Sequence, residues 1–465
     1  MEVHAMKRIS QSPVFDYELT TASDAFFRRF KLCSVLKRSN AYKSRGIPAV
    51  TVFQGLFNLV FNNRSLFMEL KTGTNSSKTG KDTFYRFINS CSVNWMRFTS
   101  LLAEKIINSM VTKLTDENRV NVFIVDDTLY ERSRARKVEL LAKVFDHSKH
   151  RYTSGFRLLT LGWSDGNTFL PVNSCLLSSE KESSRIQEAK DTQDRRSCGF
   201  KIRKLAQTKA PAVMLEMIDT AVRSGISASH VLFDSWFCSP STLMSVKERG
   251  MNVIAMAKKT SKVHYMYKGQ MLPVTEIYRR NRKRRGRSRY LLSAEIRICS
   301  RDGSCSIPAR LVYVRNRSRH KDYLVLISTD MTLSEDEIIR IYGKRWDIEV
   351  FFKVSKTYLK LTKECHSLSY DAMTAYVAIV FARYMMLAIE NRSRRDERTF
   401  GEIYCLVSNE LSDITWLEAF RLLMEVFIST VSERTLLTEK ELDVLLETFI
   451  EALPEMLKNK LLKCA

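Results

Sequence analysis

Two aspartates in the 465-residue chain stand where a sheet could present them to a ligand. Asp126 and Asp234 each follow a run of β-branched and apolar residues, in VNVFIVDDT (120–128) and HVLFDSW (230–236). Such runs are typical of buried strands, and an acid at the carboxyl end of a buried strand lies at the rim of the sheet, where α/β folds bind ligands. Two neighbouring carboxylates repel each other unless a cation lies between them, and Mg²⁺ prefers oxygen ligands of this kind. The pair therefore predicts a cation site, although either aspartate alone would be read as a strand-end cap or a loop acid.

A third acid, Glu349, lies in SEDEIIRIYGKRWDIEVFFKVSKTYLK (334–360), which predicts one long helix capped by Ser334. At about 100° per residue, one narrow face of this helix carries an acid together with cations and a phenol: Tyr342, Arg345, Glu349, Lys353 and Lys356. An apolar face beside it is expected to pack on the core through Ile341, Ile348, Phe352 and Leu359. The same spacing of charges would also occur in a ladder of surface salt bridges, from Arg345 to Glu349 and from Glu349 to Lys353. Such a ladder would require neither Tyr342 nor the two upstream aspartates.

The elements around these acids predict an α/β fold with a mixed sheet. A WSDGN turn predicts a hairpin within 155–178, and strands and helices alternate from 211 to 257. Residues 179–208 are nearly all polar without apolar periodicity, which predicts a mobile loop. The chain thereby divides into five predicted regions: a helical N-terminal region at 1–118, the first part of the core at 119–257, a β-rich basic insertion at 258–322, the second part of the core with Glu349 at 323–365, and a helical acidic C-terminal region at 366–465.

The formal net charge of +24 is concentrated in the middle of the chain. Residues 1–120 carry 18 basic and 9 acidic side chains, and residues 366–465 carry 11 and 16, which leaves +20 for residues 121–365. A basic centre with an acidic tail predicts that a polyanion, most simply nucleic acid, binds at a defined place. A solvated basic surface is the alternative.

The densest basic run, RRNRKRRGRSR (279–289), has eight basic residues in eleven, including Arg284 and Arg285. Within a basic insertion this run predicts phosphate contacts, and an intracellular targeting signal or a solvated loop stay open. Trp236 and Trp346 lie near the acids and could stack on an unpaired base. Helical geometry turns Trp346 away from the acidic face, so packing is expected for Trp346 and either role for Trp236.

Several classes of protein do not fit the composition. The ten cysteines lack paired spacing and no signal peptide opens the sequence, which favours reduced thiols in a cytoplasm over a disulfide scaffold. The longest apolar stretch, 375–389, is shorter than a membrane span and carries Arg383, so a buried core helix and no membrane partner are expected.

Taken together, these motifs resemble the DDE transposases of bacterial insertion sequences, in the "IS four" group marked by Y-x2-R-x3-E-x6-K. Tyr342, Arg345, Glu349 and Lys356 match that spacing at every position. The group's first strand ends in D-x-T, which Asp126-Asp127-Thr128 matches, and Asp234 ends the second strand. The resemblance covers about residues 80–385. It implies an RNase H-like core, a mixed sheet flanked by helices, with a β-rich insertion between the second aspartate and the glutamate.

The resemblance also implies residue roles. Asp126, Asp234 and Glu349 are expected to be the catalytic acids and to hold two Mg²⁺ ions, with Mn²⁺ as a substitute. DNA phosphates are expected to contact Tyr342, Arg345 and Lys356, joined by Lys353, Arg284 and Arg285. Asp127 points to the opposite side of the strand from Asp126, so only one of them can be a ligand, and the D-x-T register favours Asp126.

The function implied is cut-and-paste transposition of double-stranded DNA, by a homodimer on paired transposon ends in a bacterial, nucleoid-associated cytoplasmic location. Related enzymes often form a DNA hairpin, which this sequence neither requires nor excludes. A structure-specific Mg²⁺-dependent nuclease of the same fold and a non-catalytic DNA-binding regulator are the alternatives. The three acids argue against the regulator, since a binder gains nothing from carboxylates beside phosphates.

Overall fold

The computed structural model describes residues 22–72, 79–115, 119–190, 194–284, 288–300, 302–316, 322–393 and 399–408, together with parts of 420–453. Arg285, one of the expected phosphate contacts, lies outside the described residues. Helices occupy both ends of the described chain and strands occupy its middle, in the order expected from the sequence.

The helices are α1 (Ala22–Arg29), α2 (Leu32–Arg38), α3 (Ala49–Asn58), α4 (Leu66–Thr72), α5 (Lys81–Ile88), α6 (Trp95–Ile106), α7 (Cys198–Ala206), α8 (Ala210–Arg223), α9 (Pro240–Glu248), α10 (Val274–Arg280), α11 (Glu335–Gly343), α12 (Trp346–Thr357), α13 (Tyr370–Ser393) and α14 (Glu439–Glu451), with a further helical stretch at 400–408. The strands are β1 (Val122–Glu131), β2 (Ala142–Asp146), β3 (Arg151–Ser164), β4 (Phe169–Leu177), β5 (His230–Phe233), β6 (Asn252–Met256), β7 (Tyr265–Tyr267), β8 (Gln270–Leu272), β9 (Tyr290–Cys299), β10 (Ser306–Arg315) and β11 (Tyr323–Ser328).

All of these strands belong to one mixed sheet in the order β2-β3-β1-β5-β6-β11-β10-β9-β7-β8, and β4 pairs with β3. The pairs β1–β5 and β5–β6 are parallel, and the other pairs are antiparallel. Helices flank the sheet, so the predicted α/β class with a mixed sheet is confirmed. The strands within 258–322 extend the same sheet, because β11 pairs with β6 on one side and with β10 on the other.

The most buried helix is α13. Residues Tyr370–Arg392 are long and apolar enough to cross a membrane by length and composition, yet 94% of the apolar window is buried inside the protein. Arg383 in its middle is fully buried, and its guanidinium donates to the carbonyls of Phe57 and Leu56 and pairs with Glu364. Because Glu364 pairs the charge and the carbonyls at the end of α3 accept the remaining donors, burial of this guanidinium leaves no unpaired charge. The prediction of a buried core helix is confirmed.

The prediction of a loop over 179–208 is wrong in its second half. Residues 198–206 form α7, which begins after Ser197, whose hydroxyl accepts a hydrogen bond from the Phe200 N–H. The charged side chain of Arg203 faces inward, where it pairs with Glu139 and Asp371. The apolar periodicity was absent from the sequence because an ion cluster takes the place of apolar contacts on the buried face of this helix.

The single helix predicted over 334–360 is two helices. Ser334 caps the first through a capping box with Glu337, as expected. That helix, α11, ends at Gly343, and α12 begins at Trp346, with Lys344 and Arg345 forming the turn between them. The predicted apolar face nevertheless packs on the core, since Ile341, Ile348, Phe352 and Leu359 are all buried.

Candidate functional site

The first two acids of the site lie side by side. In the parallel pairing of β1 with β5, Val125 is opposite Phe233, and this is the last pair of that register. Asp126 and Asp234 are therefore the next residues on the two neighbouring strands. The expectation that β1 ends at these acids is wrong, because β1 continues to Glu131 through its pairing with β3. Asp126 thus lies where β1 loses its pairing with β5 and keeps its pairing with β3.

The third acid, Glu349, lies in the first turn of α12 and is linked to Asp126 through Arg345. Arg345, in that turn, extends its guanidinium toward β1, where Nη1 donates to Asp126 Oδ2 at 2.9 Å. Its Nη2 donates to Glu349 Oε1 at 2.6 Å. One guanidinium therefore spans the first and third acids. Since β1 and α12 are far apart in the chain, only the tertiary fold creates this contact.

Burial raises the pKa of Asp126 to about 7; Arg345 counteracts part of this effect, and Asp234 and Asp127 add to it. A carboxyl with this pKa is an unstable anion without further positive charge. The oxygen donors of Asp126, Asp234 and Glu349 suit a hard divalent cation, and the first of them lacks sufficient counter-charge. The described residues contain no preformed group of three or more such ligands, and Asp126 and Glu349 instead share the guanidinium.

The raised pKa of Asp126 predicts how stability depends on pH. Between about pH 4 and pH 7 the folded protein retains a proton on Asp126 that the unfolded chain has lost, so the free energy of unfolding falls as pH rises through this window. At about 1.4 kcal/mol per pKa unit, the loss is roughly 4 kcal/mol at most. Chemical denaturation in EDTA at pH 5 and pH 8 should show a smaller fall for Asp126→Asn than for the parent protein. An equal fall in the free energy of unfolding for Asp126→Asn and the parent protein would contradict the burial of the Asp126 carboxyl.

Asp127 lies on the other face of β1. Its Oδ2 is 3.1 Å from Arg157 Nε on β3, and burial raises its pKa. Thr128, two residues beyond Asp126, points to the same side as Asp126, and there its Oγ1 accepts a hydrogen bond from Lys356 Nζ at 2.6 Å. Asp126 and Thr128 thus share the face toward α12, and Asp127 does not. Sequence reasoning missed Arg157, because cross-strand register carries no local signal.

The residues expected to contact phosphates are in different situations. Lys356 is held by Thr128 and its pKa is lowered by burial, whereas Lys353 is exposed. The Tyr342 ring lies with its centroid 6.0 Å from the Arg345 guanidinium, and its buried hydroxyl makes no hydrogen bond of normal geometry with the described residues. Of this group, Arg345 contacts the acids directly.

The last residue of the basic run, Arg289, lies beside the start of α11. Arg289 Nη1 is 3.8 Å from Asp336 Oδ1 in the first turn of that helix. Arg284 is exposed, its guanidinium covers the Tyr290 ring at 4.4 Å, and Lys283 covers the Tyr278 ring at 4.6 Å. Stacking on aromatic rings holds these cations at the surface.

Both tryptophans near the acids are exposed. Trp236 is 62% exposed, and its backbone N–H donates to Asp234 Oδ1 at 2.9 Å. Trp346 is 64% exposed, so the expectation that it packs in the core is wrong. Trp346 is the first residue of α12, directly after the turn, and its indole extends into solvent.

The chain is similar to one known protein family. The family described as DDE superfamily endonuclease matches residues 64–300, just over half of the chain. No curated protein matches the chain. The matched segment contains Asp126 and Asp234 and ends before Glu349. The link between the first acid and the third therefore depends on the contacts of Arg345.

Proposed function

Because this chain belongs to the DDE superfamily of endonucleases, we propose that it is a cut-and-paste DNA transposase of the "IS four" type. It binds the terminal inverted repeats of its own insertion sequence, cleaves them by Mg²⁺-dependent hydrolysis, and transfers the resulting 3′-hydroxyl ends to target DNA. The superfamily accounts for the nuclease chemistry and for DNA as the substrate. The transposition cycle is the finer part of the proposal.

One observation carries the proposal: Asp126 follows the last residue pair of β1 with β5, Asp234 follows it on the partner strand, and Arg345 ties Glu349 to Asp126. Two strands and a separate helix thus supply the support for this proposal, through the register beside Asp126 and Asp234 and through one guanidinium shared by Asp126 and Glu349. A DNA-binding regulator has no use for that arrangement, because carboxylates repel phosphates.

In this proposal Asp126, Asp234 and Glu349 hold the two divalent ions. When bound, such ions activate an attacking water or 3′-hydroxyl and stabilise the leaving 3′ oxygen. The protein's own side chains position the DNA. Lys356, whose ammonium donates to Thr128 on β1, and the exposed Lys353 on the same helix attract the phosphates of the cleaved strand.

The wider charge distribution supports a duplex lying across the site and the basic run. Arg289 of the insertion lies beside the first turn of α11, the helix that leads into the turn at Lys344 and Arg345, and Arg284 is held at the surface on the Tyr290 ring. We propose a homodimer acting on paired ends in a bacterial cytoplasm, associated with the nucleoid. Because phosphate contacts release counterions, DNA affinity should fall steeply with salt.

The test combines end cleavage with joining. The full-length protein is incubated with Mg²⁺, a labelled duplex that carries the inverted repeat flanking its coding region, and a supercoiled target plasmid. The expected result is a cut at the repeat and a labelled plasmid product. Cleavage without joining would replace the proposal with a structure-specific nuclease. Binding without either step would identify a regulator.

A further inference from the structure

Arg345 occupies the contacts that a cation at this site needs. Asp126 Oδ1 accepts the backbone N–H of Asp127 at 2.8 Å, and Oδ2 accepts Arg345 Nη1 at 2.9 Å, so both carboxylate oxygens already have partners. Glu349 Oε1 accepts the other terminal nitrogen of the same guanidinium. The other oxygens, Asp234 Oδ2 and Glu349 Oε2, accept no hydrogen bond from the described residues. Of the three acids, Asp126 alone accepts a hydrogen bond on each of its two carboxylate oxygens from the described residues.

The guanidinium is therefore a substitute counter-charge for a buried acid. Asp126 and Arg345 are both mostly buried, with 16% and 17% of their side chains exposed. Without Arg345, Asp126 would stand beside Asp234 and Asp127 with no cation. A divalent ion bound through Asp126 Oδ2 and a guanidinium donating to the same oxygen also repel each other. The two states therefore disfavour each other at that oxygen.

We propose that Arg345 is a placeholder cation: its single positive charge offsets part of the charge of Asp126 and Glu349 while no ion is bound, and it leaves both acids when a divalent ion binds. This inference rests on the proposed function, since it takes these acids as the ligands. Arg345 is then a positioning residue that couples the loading of the ion to DNA. A guanidinium released from the carboxylates is free to grip a phosphate, and it cannot hold both groups bidentately at once.

The position of Arg345 in the chain suits such an exchange. It lies in the turn between α11 and α12, so its side chain can reorient while both helices stay packed. The buried Tyr342 hydroxyl beside it lacks a partner of normal geometry in the described chain. Lys356 differs from Arg345, because its ammonium donates a hydrogen bond to the hydroxyl of Thr128 and not to a carboxylate.

The test measures Mn²⁺ binding to the full-length protein without DNA, by electron paramagnetic resonance of the free ion. Arg345→Gln removes the charge, and its Mn²⁺ affinity should be on the order of tenfold higher than that of the parent protein. Arg345→Lys keeps the positive charge but cannot donate to both acids as the guanidinium does. Its Mn²⁺ affinity should therefore lie between those of Arg345→Gln and the parent protein. Arg157→Gln is the matched control, because it removes the same side chain from the neighbouring Asp127. Its affinity should equal that of the parent protein. Circular dichroism verifies that each variant is folded.

The outcomes separate this inference from the proposed function. Unchanged or weaker Mn²⁺ binding by folded Arg345→Gln, or no detectable binding by either it or the parent, overturns the placeholder role. Tighter Mn²⁺ binding by Arg157→Gln than by the parent protein would instead indicate that Asp127 is the ligand. If Asp126→Asn/Glu349→Gln binds Mn²⁺ as well as the parent protein, the acids are not ligands and the proposed site itself fails.

Discussion

Replacing Asp126 by Asn is expected to lower Mg²⁺-dependent DNA cleavage about a thousandfold or more while leaving end binding intact. The substitution keeps the shape of the side chain but removes the charge that holds a cation beside Asp234, and single electrostatic groups in active sites contribute effects of this size. Asp234→Asn and Glu349→Gln should behave in the same way. Cleavage of a labelled end duplex measures the chemistry, and gel retardation in EDTA measures binding.

Asp127→Asn is the matched control for that experiment. Asp127 is the next residue on the same strand and is similarly buried, but it faces Arg157 on β3. Its cleavage rate should stay within about tenfold of the parent protein, an allowance for local destabilisation. A loss as large as that of Asp126→Asn would place Asp127 in the site. Persistent cleavage by Asp126→Asn would remove Asp126 from it.

The largest expected effect on stability is at Arg203. Its guanidinium, almost completely buried, donates to Glu139 Oε1 at 2.7 Å and to Asp371 Oδ1 at 2.8 Å, and so ties α7 to α13. Arg203→Met removes the counter-charge of two buried carboxylates, which should lower the free energy of unfolding by about 3–5 kcal/mol. Urea denaturation at pH 7 measures this difference.

Two further variants define the cause of that loss. Arg203→Met combined with Glu139→Gln and Asp371→Asn removes the unpaired charges and should recover much of the stability. Arg223→Ala breaks an ion pair with Glu216 in which both partners are well exposed, and it should cost less than about 1 kcal/mol. A loss at Arg203 as small as that at Arg223 would show that the triad does not hold α7 in place.

Most of the fold was predictable because its strands and helices carry strong periodic patterns. The first half of β1 and most of β5 and β6 are apolar, since both faces of a central strand are buried where it pairs in parallel. The hairpin of β3 and β4 was predictable from its turn. Prediction from these patterns failed where the buried side chains of a helix are charged and where a helix is interrupted. The helix α7 buries Arg203 in an ion cluster, and the turn at Lys344 and Arg345 contains no proline to announce it.

The candidate site was predictable to the level of residue types and spacing. Asp126, Asp234 and the stripe from Tyr342 to Lys356 could be chosen from the sequence, because strand ends and helical faces are local properties. The predicted partner of Arg345 was a phosphate, and its contacts in the fold are Asp126 and Glu349. Which charged groups meet depends on how α12 packs on β1, and that packing is a property of the whole core.

By itself, the sequence determined the α/β framework and the basic charge of its middle, and it predicted acids that could serve as oxygen ligands for a divalent ion. The tertiary structure decided which carboxylate oxygens are free and which are already engaged. It placed Asp126 beside Asp234 through the register of β1 with β5, turned Asp127 toward Arg157, and set Arg345 between two acids. The physical reason is that hydrogen-bond partners are chosen by distance in the folded core, and distance between remote segments is not encoded in their local patterns.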